Sequence, residues 1–119
     1  MADHGGTIEI EDTFIGRNGF IMARKQITIA ANCQIAEMVV IRDQNHNFGK
    51  PDLTIAEQGF TVSSITIGEN VWLAAKSTVL AGSVIGNNTV VGANAVVRGQ
   101  LDCDSVYVGV PAKKVNIQS

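Results

Sequence analysis

A six-residue period constrains this chain more than any other feature. From Ile67 to Val97 an aliphatic residue returns at every sixth position: Ile67, Leu73, Val79, Ile85, Val91 and Val97. Ile, Val and Leu together supply 31 of the 119 residues. Six in a row at one phase would then arise by chance about three times in ten thousand. Four residues after each of the first five stands something small or β-branched: Val71, Ser77, Ser83, Thr89 and Ala95. One residue after the aliphatic there is usually Gly or Ala (Gly68, Ala74, Gly86, Gly92), with Leu80 and Arg98 as exceptions.

A period of six fits neither an amphipathic helix nor a simple alternating strand. It fits a chain that runs a short strand, turns a corner and runs another. Three hexads close a triangular coil of about 18 residues, stacked on the next at roughly 4.8 Å. The aliphatic residue points inward, the small residue sits near a corner, and Gly or Asn at the turns tolerates positive φ. Each coil buries its apolar side chains only against neighbouring coils. An antiparallel barrel of hairpins is disfavoured, because the hexads carry no two-residue hairpin signal.

The chain opens with Thr7-Ile8-Glu9-Ile10, an edge strand whose acidic residues discourage end-to-end pairing. Repeats begin at Ile15. A two-residue slip, placed between Met22 and Gln26, moves the phase to Ile29, Ile35 and Ile41. Residues 43–62 abandon the period and have the Asn, Gly, Pro and Asp density of a loop. The period resumes near Ile65. After Val97 the chain leaves the repeat, turns at Gly109-Val110-Pro111-Ala112 and ends past Lys113-Lys114. A solenoid needs no insertion at 43–62 to fold, and loops projecting from a rigid scaffold are where function is usually placed.

The length suits a single domain over residues 1–119. A net charge of −2 offers no basic field for nucleic acid or an anionic membrane. Cys33 falls at an inward position, and Cys103 lies beyond the last regular hexad. With no CxxC or His/Cys cluster, neither a structural zinc nor a redox pair is expected. No signal-peptide core or membrane-spanning run is evident, so a reduced, cytoplasmic setting is expected. His4 reads as a solvated residue near the terminus.

His46 is the one His within the repeat region, and it stands in the one long interruption. An imidazole titrates at about pH 6.5, so near neutrality it can accept a proton. On composition alone, a loop His is more often solvated than catalytic. A working base usually has its second ring nitrogen held by a carboxylate or carbonyl. Asp43, three residues away, is a candidate; a backbone carbonyl, or a role for Asp43 as a turn former, is equally open. Trp72 follows a small inward position and should point outward, toward a ligand or another subunit.

The hexads, the interrupting loop with its His, Asn70-Val71-Trp72, the run Val90 to Val97 and Gly109-Val110-Pro111-Ala112-Lys113 stand in one order. Together they resemble the hexapeptide-repeat acyltransferases, over roughly residues 15–115, most closely the sugar O-acetyltransferase branch. The resemblance implies an all-β fold, a left-handed parallel β-helix with one projecting loop. It also implies an acetyl-CoA-dependent homotrimer with active sites between subunits. His46 then matches the family's general base and Asn18 its acceptor-contacting position. Trp72 matches a residue beside the pantetheine arm, Ala75 and Ala93 positions whose backbone meets CoA, and Arg98 and Lys113 the phosphate end. Many relatives have a longer N-terminal region, a C-terminal helix and Thr-Lys where this chain has Arg98-Gly99.

The expected reaction is acetyl transfer to a hydroxyl of a sugar or sugar-containing acceptor, without a metal, nucleic acid or membrane insertion. N-acetylation of an amino sugar and a non-catalytic interaction module are the alternatives. A zinc-dependent carbonic anhydrase on the same scaffold would need three histidines, and the chain has two.

Overall fold

The computed structural model describes residues 1–2 and 5–116, so His4 lies outside the described residues. About five turns of parallel solenoid make up most of it. The first coil holds β1 (Thr7–Ile10), β2 (Phe14–Ile15) and β3 (Phe20–Met22). The second holds β4 (Gln26–Ile29), β5 (Gln34–Ile35) and β6 (Val40–Arg42). A hairpin of β7 (Gln44–His46) and β8 (Phe60–Val62) then leaves the solenoid. The third coil holds β9 (Ile65–Ile67), β10 (Trp72–Leu73) and β11 (Thr78–Val79), and the fourth β12 (Val84–Ile85), β13 (Val90–Val91) and β14 (Val96–Val97). A shortened fifth coil holds β15 (Gln100–Leu101) and β16 (Val106–Val108), and β17 (Lys113–Val115) returns antiparallel on β16.

Stacking the coils builds three faces. The first runs β1-β4-β9-β12-β15, the second β2-β5-β10-β13-β16 with β17 beyond, and the third β3-β6-β11-β14. The register is in step: Ile29 pairs with Ile67, Ile67 with Ile85, and Ile85 with Leu101. From the second coil on, the predicted inward residues fill the core; in the first coil, at the end of the stack, Ile15 stays 38% exposed. Ile67, Leu73, Val79, Val91 and Val97 are fully enclosed, and so are Ser77, Ser83, Thr89 and Ala95 at the small positions. Each aliphatic side chain removed from water is worth about 1.5–3 kcal/mol. The buried hydroxyls are tolerable where corner carbonyls accept from them, as Leu80 O does from Ser83 Oγ (2.6 Å) and Asp102 O from Thr89 Oγ1 (2.7 Å).

The three corners are not equivalent, and this explains the two exceptions to the Gly/Ala rule. Between the first and second faces Gly68 is pressed so close to the next coil that a Cβ there would stand 2.9 Å from Asn87 N. Asn32, Asn70, Asn88 and Asp104 take positive φ at this corner, and Asn70 and Asn88 each donate from Nδ2 to the next side chain of the stack. Between the second and third faces Asn18, Met38, Lys76 and Asn94 take positive φ. Leu80 and Arg98 both belong to the third corner, where Gly82 (φ 80°) and Gly99 (φ 79°) make the turn instead.

Two irregularities of the period are explained. The period stops at Val97, but the solenoid continues past it: Leu101 and Tyr107 are buried in a fifth coil. That coil escapes the period because Ile85 pairs with Leu101, sixteen residues on, whereas Ile67 pairs with Ile85, eighteen on. The slip falls where the period places it: it is a bend at Arg24–Lys25, a corner two residues longer than the one between Val79 and the buried Ser83.

Candidate functional site

The hairpin exists because Asp43 ends one coil and Ser63 starts toward the next. The Ser63 N–H donates to Asp43 O at 2.9 Å, so the insertion opens and closes at one point. Its tip is tied locally. Gln58 accepts from Lys50 N at 2.9 Å, and the Thr54 N–H and hydroxyl donate to Glu57 Oε1 at 2.9 and 2.8 Å. Those bonds from Thr54 hold the Glu57 carboxyl below its ordinary pKa. The tip, Asn47 to Gly59, packs into no core, and Phe48 is 78% exposed.

His46 closes β7 opposite Phe60. The two rings lie 4.4 Å apart between centroids, tilted by 35°. The Arg24 guanidinium sits 4.0 Å from the Phe60 ring centroid. His46 is exposed and borders a cleft of about 310 Å³ along the third face, with Val40, Arg42, Gln44, Thr78 and Leu80. Gln44 is almost fully enclosed there, and its buried Oε1 has no hydrogen-bond partner.

No hydrogen bond joins Asp43 to the imidazole. Its carboxylate is fully buried and accepts from Arg24 N (2.8 Å), Lys25 N (2.8 Å) and Gln26 N (2.9 Å). It holds the bend at which the first coil passes to the second. Three backbone donors left without that acceptor would be costly, which is why the carboxylate is spent there.

Trp72 points outward and is 51% exposed, as its position in the hexad predicts. It stands in a groove of about 480 Å³ on the second face, with Phe14, Asn18, Gln34, Glu37 and Met38. The structure thus brings together Asn18 and Trp72, which the sequence suggests for different ligands. Ala75 and Ala93 stack at the adjoining corner, where Asn94 N donates to Ala75 O at 3.0 Å. Lys113 is exposed on β17 opposite Val108, near the same corner. Its neighbour Lys114 reaches Asp102 at 3.4 Å. Arg98 is exposed at the other corner of the third face, apart from the alanines.

No described residue lines both the His46 cleft and the Trp72 groove. They lie on two faces of the prism, with the corner of Ala75 and Ala93 between them. Sequence reasoning missed Phe60, Arg24 and Gln44. A period can place inward residues, but it carries no register for a hairpin outside the repeat. Among the described residues no group of three or more His, Cys, Asp or Glu could hold a metal ion, and no helix is long and apolar enough to cross a membrane.

Residues 64–99 match the family described as bacterial transferase hexapeptide (six repeats). A protein of Escherichia coli K12 named for lipopolysaccharide biosynthesis O-acetyl transfer, WbbJ, is 40% identical over 104 residues, 78% of this chain and 51% of its own. A hexapeptide-repeat acetyltransferase of Vibrio cholerae, solved with acetyl coenzyme A, superposes with a TM-score of 0.85 at 26% identity, over 97% of this chain and 62% of its own. The N-acyltransferase AntD of Bacillus cereus, solved with dTDP and an acyl-CoA, shares the fold (TM-score 0.81) at 20% identity, over 96% of this chain and 64% of its own. The chain spans about half the length of curated relatives such as WbbJ. With its repeats, its left-handed parallel β-helix and these likenesses, the chain belongs to the hexapeptide-repeat transferase family.

Proposed function

We propose that this protein transfers acetyl from acetyl-CoA to a hydroxyl of a sugar or sugar-containing acceptor, with His46 as general base. The observation that carries this reading is the placement of His46. It is the residue that the break in the solenoid carries out to an open cleft, beside a wall whose relatives are acetyltransferases. The neutral imidazole takes the proton of the acceptor hydroxyl as its oxygen attacks the thioester carbonyl. The same imidazole then returns that proton to the departing thiolate, so no nucleophilic side chain is needed. Trp72, with the backbone at Ala75 and Ala93, would lie along the pantetheine arm, and Lys113 with Arg98 would meet the phosphates. Asn18 would contact the acceptor. Holding both substrates at attack distance supplies much of the remaining rate.

The two separate half-sites favour a homotrimer. In a single chain His46 and Trp72 face different ways, so a complete site needs the third face of one copy against the second face of another. On this reading the protein works in the cytoplasm. Acetylation of an amino sugar is the second reading; AntD, whose fold the chain shares, is an N-acyltransferase solved with dTDP-4-amino-4,6-dideoxyglucose.

The test is thiol release from acetyl-CoA with a panel of sugar hydroxyl and amine acceptors. His46→Ala should lower the rate by about 10²- to 10⁴-fold without unfolding the protein. Full activity in that variant would remove His46 from the mechanism. Amine acceptors working where hydroxyls fail would select the second reading. Absence of acetyl-CoA binding by calorimetry would leave a non-catalytic module.

A further inference from the structure

We propose that Phe60 and Arg24 are positioning residues for the His46 imidazole. This rests on the reading of His46 as the base and adds what orients it.

Three observations converge. Phe60 is the strand partner of His46, and the two rings are in contact at 4.4 Å. Phe60 remains 36% exposed, so it is not there to fill the core. Its ring face is also met by the Arg24 guanidinium at 4.0 Å, the arrangement in which a cation is drawn to an aromatic quadrupole. Arg24 is in turn placed by its backbone, because Arg24 N donates to the buried Asp43 carboxylate at 2.8 Å. A continuous line therefore runs from Asp43 through the bend to Arg24, from Arg24 to Phe60, and from Phe60 to His46.

The physical problem is that an exposed imidazole on a two-stranded hairpin has rotamer freedom that a base must give up. A two-stranded ribbon is itself of marginal stability. Ring stacking against Phe60 removes part of that freedom. The Arg24 contact pins Phe60 to the bend between the first and second coils, so the hairpin is tethered to the solenoid. Asp43, which the sequence offers as a direct partner of His46, acts on it at three removes.

The chain's two histidines make this measurable. In a His4→Gln background the one imidazole signal in the NMR spectrum is that of His46. Phe60→Leu should move its ring resonances by removing the aromatic ring current. It should also lower kcat by about tenfold to a hundredfold with little change in KM, the loss expected of a misplaced group. Phe60→Tyr should restore both, and Arg24→Gln should give a smaller shift in the same direction. If Phe60→Leu leaves the resonances and kcat unchanged in a folded protein, the inference is overturned. So is a Phe60→Tyr variant that behaves like Phe60→Leu. The NMR readout is independent of turnover, so an active His46→Ala enzyme would sink the base and leave the stack standing.

Discussion

The wall of the third and fourth coils and the hairpin at 44–62 obey opposite rules. In the wall every sixth residue is sealed from water, from Ile67 through Val97. In the hairpin, after Gln44, no residue is buried, and large apolar side chains such as Phe48 and Ile55 stand in solvent. The wall is held by burial and an in-step register. The hairpin is held by its own turns, by Asp43 beneath it and by one aromatic stack. Stability should therefore reside in the wall and chemistry in the insertion, and the two should come apart under mutation.

The largest separation should come from excising residues 44–62 and joining Asp43 to Ser63 through two glycines. Those residues already share a hydrogen bond, so the solenoid should keep its melting temperature while acetyl transfer falls to background. Collapse of the fold would show that the hairpin is structural after all. Next, Ile85→Ala in the wall should cost about 2–5 kcal/mol by denaturant unfolding and leave the chemistry of the folded fraction intact. An effect confined to activity would contradict the division.

Asp43→Asn tests the joint between the two regions. The amide loses charge-assisted acceptance from three backbone donors, which should cost about 1–3 kcal/mol and lower kcat through the bend. A change in kcat with no change in stability would revive Asp43 as a direct partner of His46. Lys76→Asn, at the positive-φ corner (φ 63°), should stabilise the wall slightly, by under about 1 kcal/mol, without touching the rate.

The smallest effect concerns the hairpin tip. The Glu57 carboxyl is held below its ordinary pKa by Thr54. Its contribution is therefore present above the unfolded pKa and lost as pH falls through the lower folded value. The protection factor of the Thr54 amide, measured against its intrinsic exchange rate at each pH, should fall only in that acid window, with the protection of the wall amides unmoved. An equal loss of protection in both regions would mean that they unfold together.

How much of this was legible follows from what repeats. The hexads located the core residues and both Gly/Ala corners, and the outward Trp72 and the break at 43–62 came from the same count. The fifth coil was not legible, because two residues are missing from its period. Nor was the true partner of Asp43, since the bend it holds lies seventeen to nineteen residues earlier in the chain.

By itself the sequence determined that the chain is a triangular solenoid, because inward aliphatics at a period of six let each coil bury its apolar side chains against its neighbours. It also determined that His46 leaves that solenoid. Only the tertiary structure decided that His46 meets Phe60, that Arg24 meets the same ring, and that the His46 cleft and the Trp72 groove occupy separate faces. Those depend on hairpin register and on which coil lies beneath the loop, and neither is encoded by a local period.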